Sequence, residues 1–234
     1  MKLKLFMIFI IILLAMSCKN DKSNKIKKVV DKIDGLESSQ LTTENASDEQ
    51  SVEDFSVVVK DKINEKLPEY TFNIYGQKSE FAFGATKIII TKEKDNSFSQ
   101  ELSFDLTETP DSEKLGFIAE DMNFDGYKDF RIQMNVPAGP NISYLCWIFN
   151  PSTGQFEESS TLENIISPSF DQTNKLINSY ERSSAVEYHE YVYQYINNEI
   201  IMIKHITTDY ENNKKTIEVL ENGKMVSYEG KMEE

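Results

Sequence analysis

The chain has 234 residues, with 25 Lys+Arg against 39 Asp+Glu and a formal net charge of −14. Phosphate contacts need a basic face, so this balance argues against a nucleic-acid partner. The same acidity suits a hard cation, or a basic protein drawn in by electrostatic steering.

The first segment reads as an export signal. Lys2 and Lys4 precede an apolar run, Leu5 to Ala15, that is too short to span a bilayer and leads into Ala15-Met16-Ser17-Cys18. Small residues before a cysteine at the end of such a run look like a bacterial lipobox, with Met16 as its one unusual member. The expectation is removal of residues 1–17 and a lipid on Cys18, which anchors the chain to a membrane in the cell envelope; a plain secretory signal or an uncleaved anchor is the alternative. Residues 18–54 are polar and poor in aromatics, a composition that cannot bury enough apolar surface to offset chain entropy. They read as a disordered tether ahead of a folded domain at 55–230.

From Phe55 onward the pattern is that of strands. Val57-Val58-Val59 starts one, Tyr70 to Tyr75 alternates up to Gly76, and Ala85 to Thr91 and Phe98 to Leu106 follow. Leu115 to Ala119 and Phe130 to Met134 also alternate. Tyr144 to Phe149 is apolar enough to be buried on both faces. Thr161 to Lys175 is irregular, with Pro168 against a long helix. A meander then runs from Glu187, turning at Asn197-Asn198 and at Asn222-Gly223, the strongest hairpin signal in the chain. About ten strands and no long helix predict an all-β domain: an antiparallel sandwich or barrel, or a propeller-like sheet assembly.

Between two of these strands lies Asp121-Met122-Asn123-Phe124-Asp125-Gly126-Tyr127-Lys128-Asp129, which reads D-x-N-x-D-G-x-x-D. Side-chain oxygens at positions 1, 3 and 5 can converge on a calcium ion, position 7 gives its carbonyl, and position 9 reaches the ion directly or through water. Those positions are Asp121, Asn123, Asp125, Tyr127 and Asp129. Position 12 is Ile132 rather than a bidentate Glu, and the flanks are strands, so this is a strand–calcium loop–strand hairpin and not a helix–loop–helix sensor. Three carboxylates at one end of a sheet predict a structural, weakly held calcium; an ordinary Asx-rich turn is the alternative.

Other chemistry is sparse. If Cys18 is acylated, Cys146 has no partner, and its large apolar neighbours make it a buried inert thiol. His189, Tyr191, Tyr193 and Tyr195 share one strand face, either a strip for stacking sugars or a partner, or simply a core face. His189 and His205, the only histidines, can meet across the hairpin centred near 197, a weak metal seed on its own. No G-x-S-x-G, H-E-x-x-H, P-loop or G-x-G-x-x-G occurs, so the chain reads as a binding protein and not an enzyme.

The run Glu120 to Phe130 goes further than a generic loop. Asn-Phe-Asp-Gly-Tyr at 123–127, followed by a strand ending Trp147-Ile148-Phe149-Asn150 and by Thr153-Gly154-Gln155-Phe156, resembles one family over roughly 100–195. This family comprises bacterial periplasmic lipoproteins typified by the immunity protein that blocks a lysozyme-like peptidoglycan hydrolase delivered by a bacteria-killing type IV secretion system. The resemblance implies a β-rich lipoprotein, calcium on the matching Asp/Asn loop, and a loop that plugs the cleft of a wall-degrading enzyme. The nearest polar-aromatic loop is Gly139 to Tyr144, which makes Asn141, Ser143 and Tyr144 the candidate partner contacts.

Overall fold

The computed structural model describes residues 53–78, 82–93, 95–137 and 139–231. The leader, Cys18 and nearly all of the tether therefore lie outside the described residues. Strand structure is already present at Glu53, two residues inside the segment expected as tether.

Within the described residues the chain forms three antiparallel sheets in succession. The first is a meander of β1 (Glu53–Asp61), β2 (Tyr70–Lys78), β3 (Phe83–Lys92) and β4 (Asp95–Ser103). The second is β5 (Phe117–Glu120), β6 (Asp129–Gln133), β7 (Tyr144–Asn150) and β8 (Gln155–Glu158). After one helical turn, α1 (Ser160–Glu163), the third holds β9 (Ser169–Asp171), β10 (Leu176–Arg182), β11 (Glu187–Ile196), β12 (Glu199–Asp209), β13 (Lys214–Glu221) and β14 (Lys224–Lys231). None of the three closes on itself, so of the architectures expected the molecule is sandwich-like rather than a barrel or propeller.

The second sheet is the middle layer, and strand alternation explains why. On β7, Trp147 and Phe149 face the first sheet while Tyr144, Cys146 and Ile148 face the third. Both faces are covered, as the apolar run predicts. Between the first two sheets lies a dense aromatic core. Phe72 of β2 meets Phe117 at 4.9 Å, Phe130 at 5.4 Å and Phe156 at 5.7 Å, and Phe130 stacks on Trp147 at 4.9 Å. Each fully buried ring contributes about 1.5–3 kcal/mol from area alone. The smaller second core joins Met122, Tyr144 and Cys146 to Leu162, Ile165 and Ile177. Burial pushes the Cys146 thiol up to about 12, which leaves it protonated and unreactive.

Two expectations need correction. Gly76 does not end its strand: β2 runs through it on a bulge, where a Cβ would come within 1.8 Å of the Gly84 carbonyl oxygen. The irregular stretch at 161–175 conceals β9, and β10 lies between it and the meander, where the sequence pattern predicts no strand. Asn178 and Ser179 hid β10, because Ser179 is a buried polar residue whose hydroxyl donates to the Ile166 carbonyl at 2.6 Å.

Across the middle and third sheets runs one buried ionic staple. Arg131 of β6 pairs with Glu120 at 2.8 Å and donates from Nη1 to the Pro168 carbonyl at 2.9 Å. Its guanidinium lies 4.2 Å from the Tyr144 ring centre and 5.4 Å from that of Phe170. Its effect is to fix where β9 begins.

Candidate functional site at the β5–β6 loop

Residues 121–128 connect β5 to β6 at one end of the middle sheet, and all three layers hold the loop there. From the first sheet's side, the Ile63 carbonyl accepts from Lys128 N at 2.7 Å, Asn64 Nδ2 donates to the Gly126 carbonyl at 2.9 Å, and Lys128 Nζ pairs with Asp61 at 2.9 Å. On the opposite side, Gln172 Nε2 donates to the Asp121 carbonyl at 2.6 Å. Phe124 packs against Phe170 at 6.4 Å and Tyr195 at 6.2 Å.

Inside the loop the acidic side chains fold back onto backbone amides. Asp121 accepts from the N–H groups of Asp125 at 3.1 Å and Gly126 at 2.8 Å. Asn123 Oδ1 accepts from Asp125 N at 3.1 Å, while Asp125 accepts from Tyr127 N at 2.8 Å and from Asn123 Nδ2 at 3.0 Å. These are nested Asx turns, which gather the oxygens of positions 1, 3 and 5 around one bend. The bend passes through Phe124 at φ 63° and Gly126 at φ 88°. Nothing lies within 4 Å of where a Cβ on Gly126 would sit, so glycine is there for its backbone and not for space.

Asp129 sits apart from the other three. It is fully buried, with Oδ2 accepting from Met122 N at 2.7 Å and Oδ1 from Phe149 N at 2.8 Å. Its carboxyl thus ties the loop's start and the neighbouring β7 to the base of β6. Burial pushes it up to about 7, against the pull of those two amides, and the charges of Asp125 and Asp121 push the same way. Among the described residues no three His, Cys, Asp or Glu side chains converge to hold a metal by themselves.

What the loop offers a cation is therefore two carboxylates, Asp121 and Asp125, the Asn123 amide oxygen and the carbonyl expected of Tyr127, whose ring leans on Phe149 at 5.4 Å. All four are hard oxygen donors. That chemistry fits calcium and excludes the soft metals, and since calcium takes about six to eight oxygens, water would complete the shell.

The residues of the 139–144 loop are engaged within the chain. Asn141 exchanges two hydrogen bonds with the Arg182 backbone, at 2.9 and 2.8 Å. The Ser143 carbonyl accepts from Met134 N at 2.9 Å, and Tyr144 is buried beneath Arg131. Gly139 and Pro140 remain on its exposed side, against a shallow groove of about 420 Å³ shared with Arg182, Ser184 and Ala185. The aromatic strip on β11 divides in two: Tyr193 and Tyr195 pack on the second core, while Tyr191 stacks on His205 at 4.5 Å. More exposed tyrosines, unread from the sequence, are Tyr180, Tyr210 and Tyr228.

No family model matches the chain, and no curated protein matches it either. Among solved structures it is similar to a protein described as a Xanthomonas type IV secretion system related protein, with a TM-score of 0.54 and 16% identity. The likeness covers 74% of this chain and 99% of that one. At that identity it shows a shared fold.

Proposed function

We propose that this chain is a lipid-anchored, calcium-stabilised binding protein of the cell envelope that captures and inhibits a lysozyme-like peptidoglycan hydrolase. The observation that carries this reading is the fold shared with a type IV secretion system related protein over nearly all of that protein's length. Three features of the chain agree with it. The first is the export signal ending at Cys18. The second is the hard-oxygen loop at 121–127, held by all three layers. The third is the acidic balance, which would speed capture of a basic wall hydrolase. In this reading Asp121, Asn123, Asp125 and the Tyr127 carbonyl would hold calcium, whose charge would draw these oxygens together and stiffen one end of the sandwich. Asp129 holds the loop's base from inside the hairpin. The chain performs no turnover of its own.

The test pairs the purified chain with a secreted lysozyme-like hydrolase and follows clearing of purified peptidoglycan, in calcium and in chelator. Suppressed lysis in calcium supports the proposal; lysis at the uninhibited rate at saturating protein defeats it.

A second reading is a glycan- or surface-binding module. The exposed Tyr210 and Tyr228 favour it, because they line a groove of about 630 Å³ on the third sheet with Thr208, Lys215 and Ile217. Retention of wall glycan with no effect on the hydrolase would select it.

A further inference from the structure

On the other face of the third sheet, strand register assembles a cluster that no contiguous stretch of sequence contains. His189 of β11 stands opposite Thr207 of β12, and Tyr191 stands opposite His205, which in turn faces Glu218 of β13. The two imidazoles meet on the diagonal, with His189 Nδ1 3.0 Å from His205 Nε2. Thr207 Oγ1 lies 3.3 Å from each of these nitrogens, so two nitrogens and an oxygen form a nearly equilateral triangle. Each histidine's other nitrogen meets a carboxylate. His189 Nε2 is 3.2 Å from Glu187 Oε1, and His205 Nδ1 is 2.9 Å from Glu218 Oε2.

That outer pair decides where the protons are. Glu187 Oε1 also accepts from the Ser183 hydroxyl at 2.7 Å, so it faces His189 as an acceptor. If both carboxylates accept, the imidazole protons lie on His189 Nε2 and His205 Nδ1. In the neutral rings two lone pairs then face one another at 3.0 Å, and the single Thr207 hydroxyl hydrogen can serve only one of them. Either a proton on one ring or a metal ion beside the pair would relieve this. A metal ion would also engage the hydroxyl that strand register places beside both nitrogens. The spacing suits one, because donors at about 2.0–2.1 Å from a common centre are spaced about 2.9 Å apart at right angles and about 3.4 Å at the tetrahedral angle. Carboxylates behind the distal nitrogens are also the usual outer shell of metal-bound histidine, fixing tautomer and ring orientation. Tyr191, stacked on His205 with an interplanar angle of 6°, holds the ring in place. The histidine side chains are 17% exposed, shielded yet reachable from solvent.

We propose that His189, His205 and Thr207 form one face of a binding site for a borderline divalent transition-metal ion, zinc or copper, with Glu187 and Glu218 as its outer shell. The donors are two imidazole nitrogens and a hydroxyl, with water in the open positions. Imidazole selects this class over calcium or magnesium, so the site is independent of the oxygen loop at 121–127.

The experiment is calorimetric titration of the full chain, first stripped with chelator, using Zn²⁺, Cu²⁺ and Ca²⁺ alone. The expected result is one equivalent of Zn²⁺ or Cu²⁺, a loss of at least about tenfold in affinity in each of His189→Gln and His205→Gln, and a weakening of about 10–100-fold in Glu218→Gln. Asp125→Asn leaves the zinc titration unchanged. In the Cu²⁺ form, electron paramagnetic resonance shows two equatorial imidazole nitrogens. Melting curves in chelator confirm that each variant is folded; where a histidine variant does not fold, Glu218→Gln and the resonance spectrum decide. No saturable binding, binding that survives both histidine substitutions, or a spectrum without two imidazole nitrogens overturns the proposal.

Discussion

The 121–129 loop and the histidine cluster both bring polar side chains together, and they are assembled by opposite routes. In the loop the donors are neighbours in sequence. Asp121, Asn123 and Asp125 are brought together by turns whose hydrogen bonds span two to five residues. In the cluster, only the Glu187–His189 contact is local to one strand; His189, His205, Thr207 and Glu218 meet because β11, β12 and β13 pair in one register. A one-residue slip of β12 would turn His205 and Thr207 to the opposite face and abolish the site. The loop is a local device that the fold tightens; the cluster is a product of the fold itself.

The largest effect that sharpens this comparison is at Asp129. Asp129→Ala removes the acceptor from two buried amides, Met122 N and Phe149 N, each costing about 1–3 kcal/mol when orphaned, for a total of about 4 kcal/mol. Because this loss belongs to the hairpin and not to a ligand, chemical denaturation should report it equally in calcium and in chelator. A loss seen only in calcium would return Asp129 to the ligand set.

Asp125→Asn asks the complementary question. It keeps an oxygen to accept from Tyr127 N at 2.8 Å, and removes the charge together with the exposed hydrogen bond from Asn123 Nδ2. If calcium binds in the weak extracellular class, with Kd about 10⁻⁴–10⁻³ M, then about 10 mM calcium stabilises the native chain by about 2 kcal/mol. The substitution should abolish most of that increment while leaving the melting temperature in chelator nearly unchanged. Equal melting shifts with and without calcium would sink the calcium reading.

Much of the architecture was legible wherever a signal is local. Asn222 and Gly223 adopt φ of 50° and 78°, and Asn197 and Asn198 adopt 53° and 66°, as two-residue hairpin turns require. The double-faced burial of β7 followed from its apolar run. What stayed hidden was set by distant partners. β10 carries polar residues that only its neighbours explain, as with Ser179 beneath the Ile166 carbonyl. Spacing placed Asp129 at position 9, but whether its carboxylate faces the bend or the hairpin depends on Phe149, twenty residues away on another strand. The histidine pair was foreseeable from the symmetry of its hairpin. Its hydroxyl was not, since a bulge between Val192 and Tyr193 shifts the pairing partway along, and Glu218 was not, since it comes from a third strand.

Gly126→Ala gives a smaller, purely conformational effect. With nothing within 4 Å of the new methyl, the cost is that of an L-residue at φ 88°, about 1–2 kcal/mol, and it should be the same in calcium and in chelator. A larger loss in calcium would mean that the bend itself must relax for the ion to bind.

The smallest expected effect lies in the other region. Glu218 has a side chain 37% exposed on a strand with no fully buried residue, so Glu218→Gln should change metal-free stability by less than about 0.5 kcal/mol. The glutamine still presents an oxygen toward His205 Nδ1 but no longer a charge. A full-size stability loss in metal-free buffer would show that the His205–Glu218 contact is part of what holds β12 to β13. A silent substitution would mean that backbone pairing alone sets the register there, and that the side-chain cluster rides on it, free to serve a ligand instead of the fold.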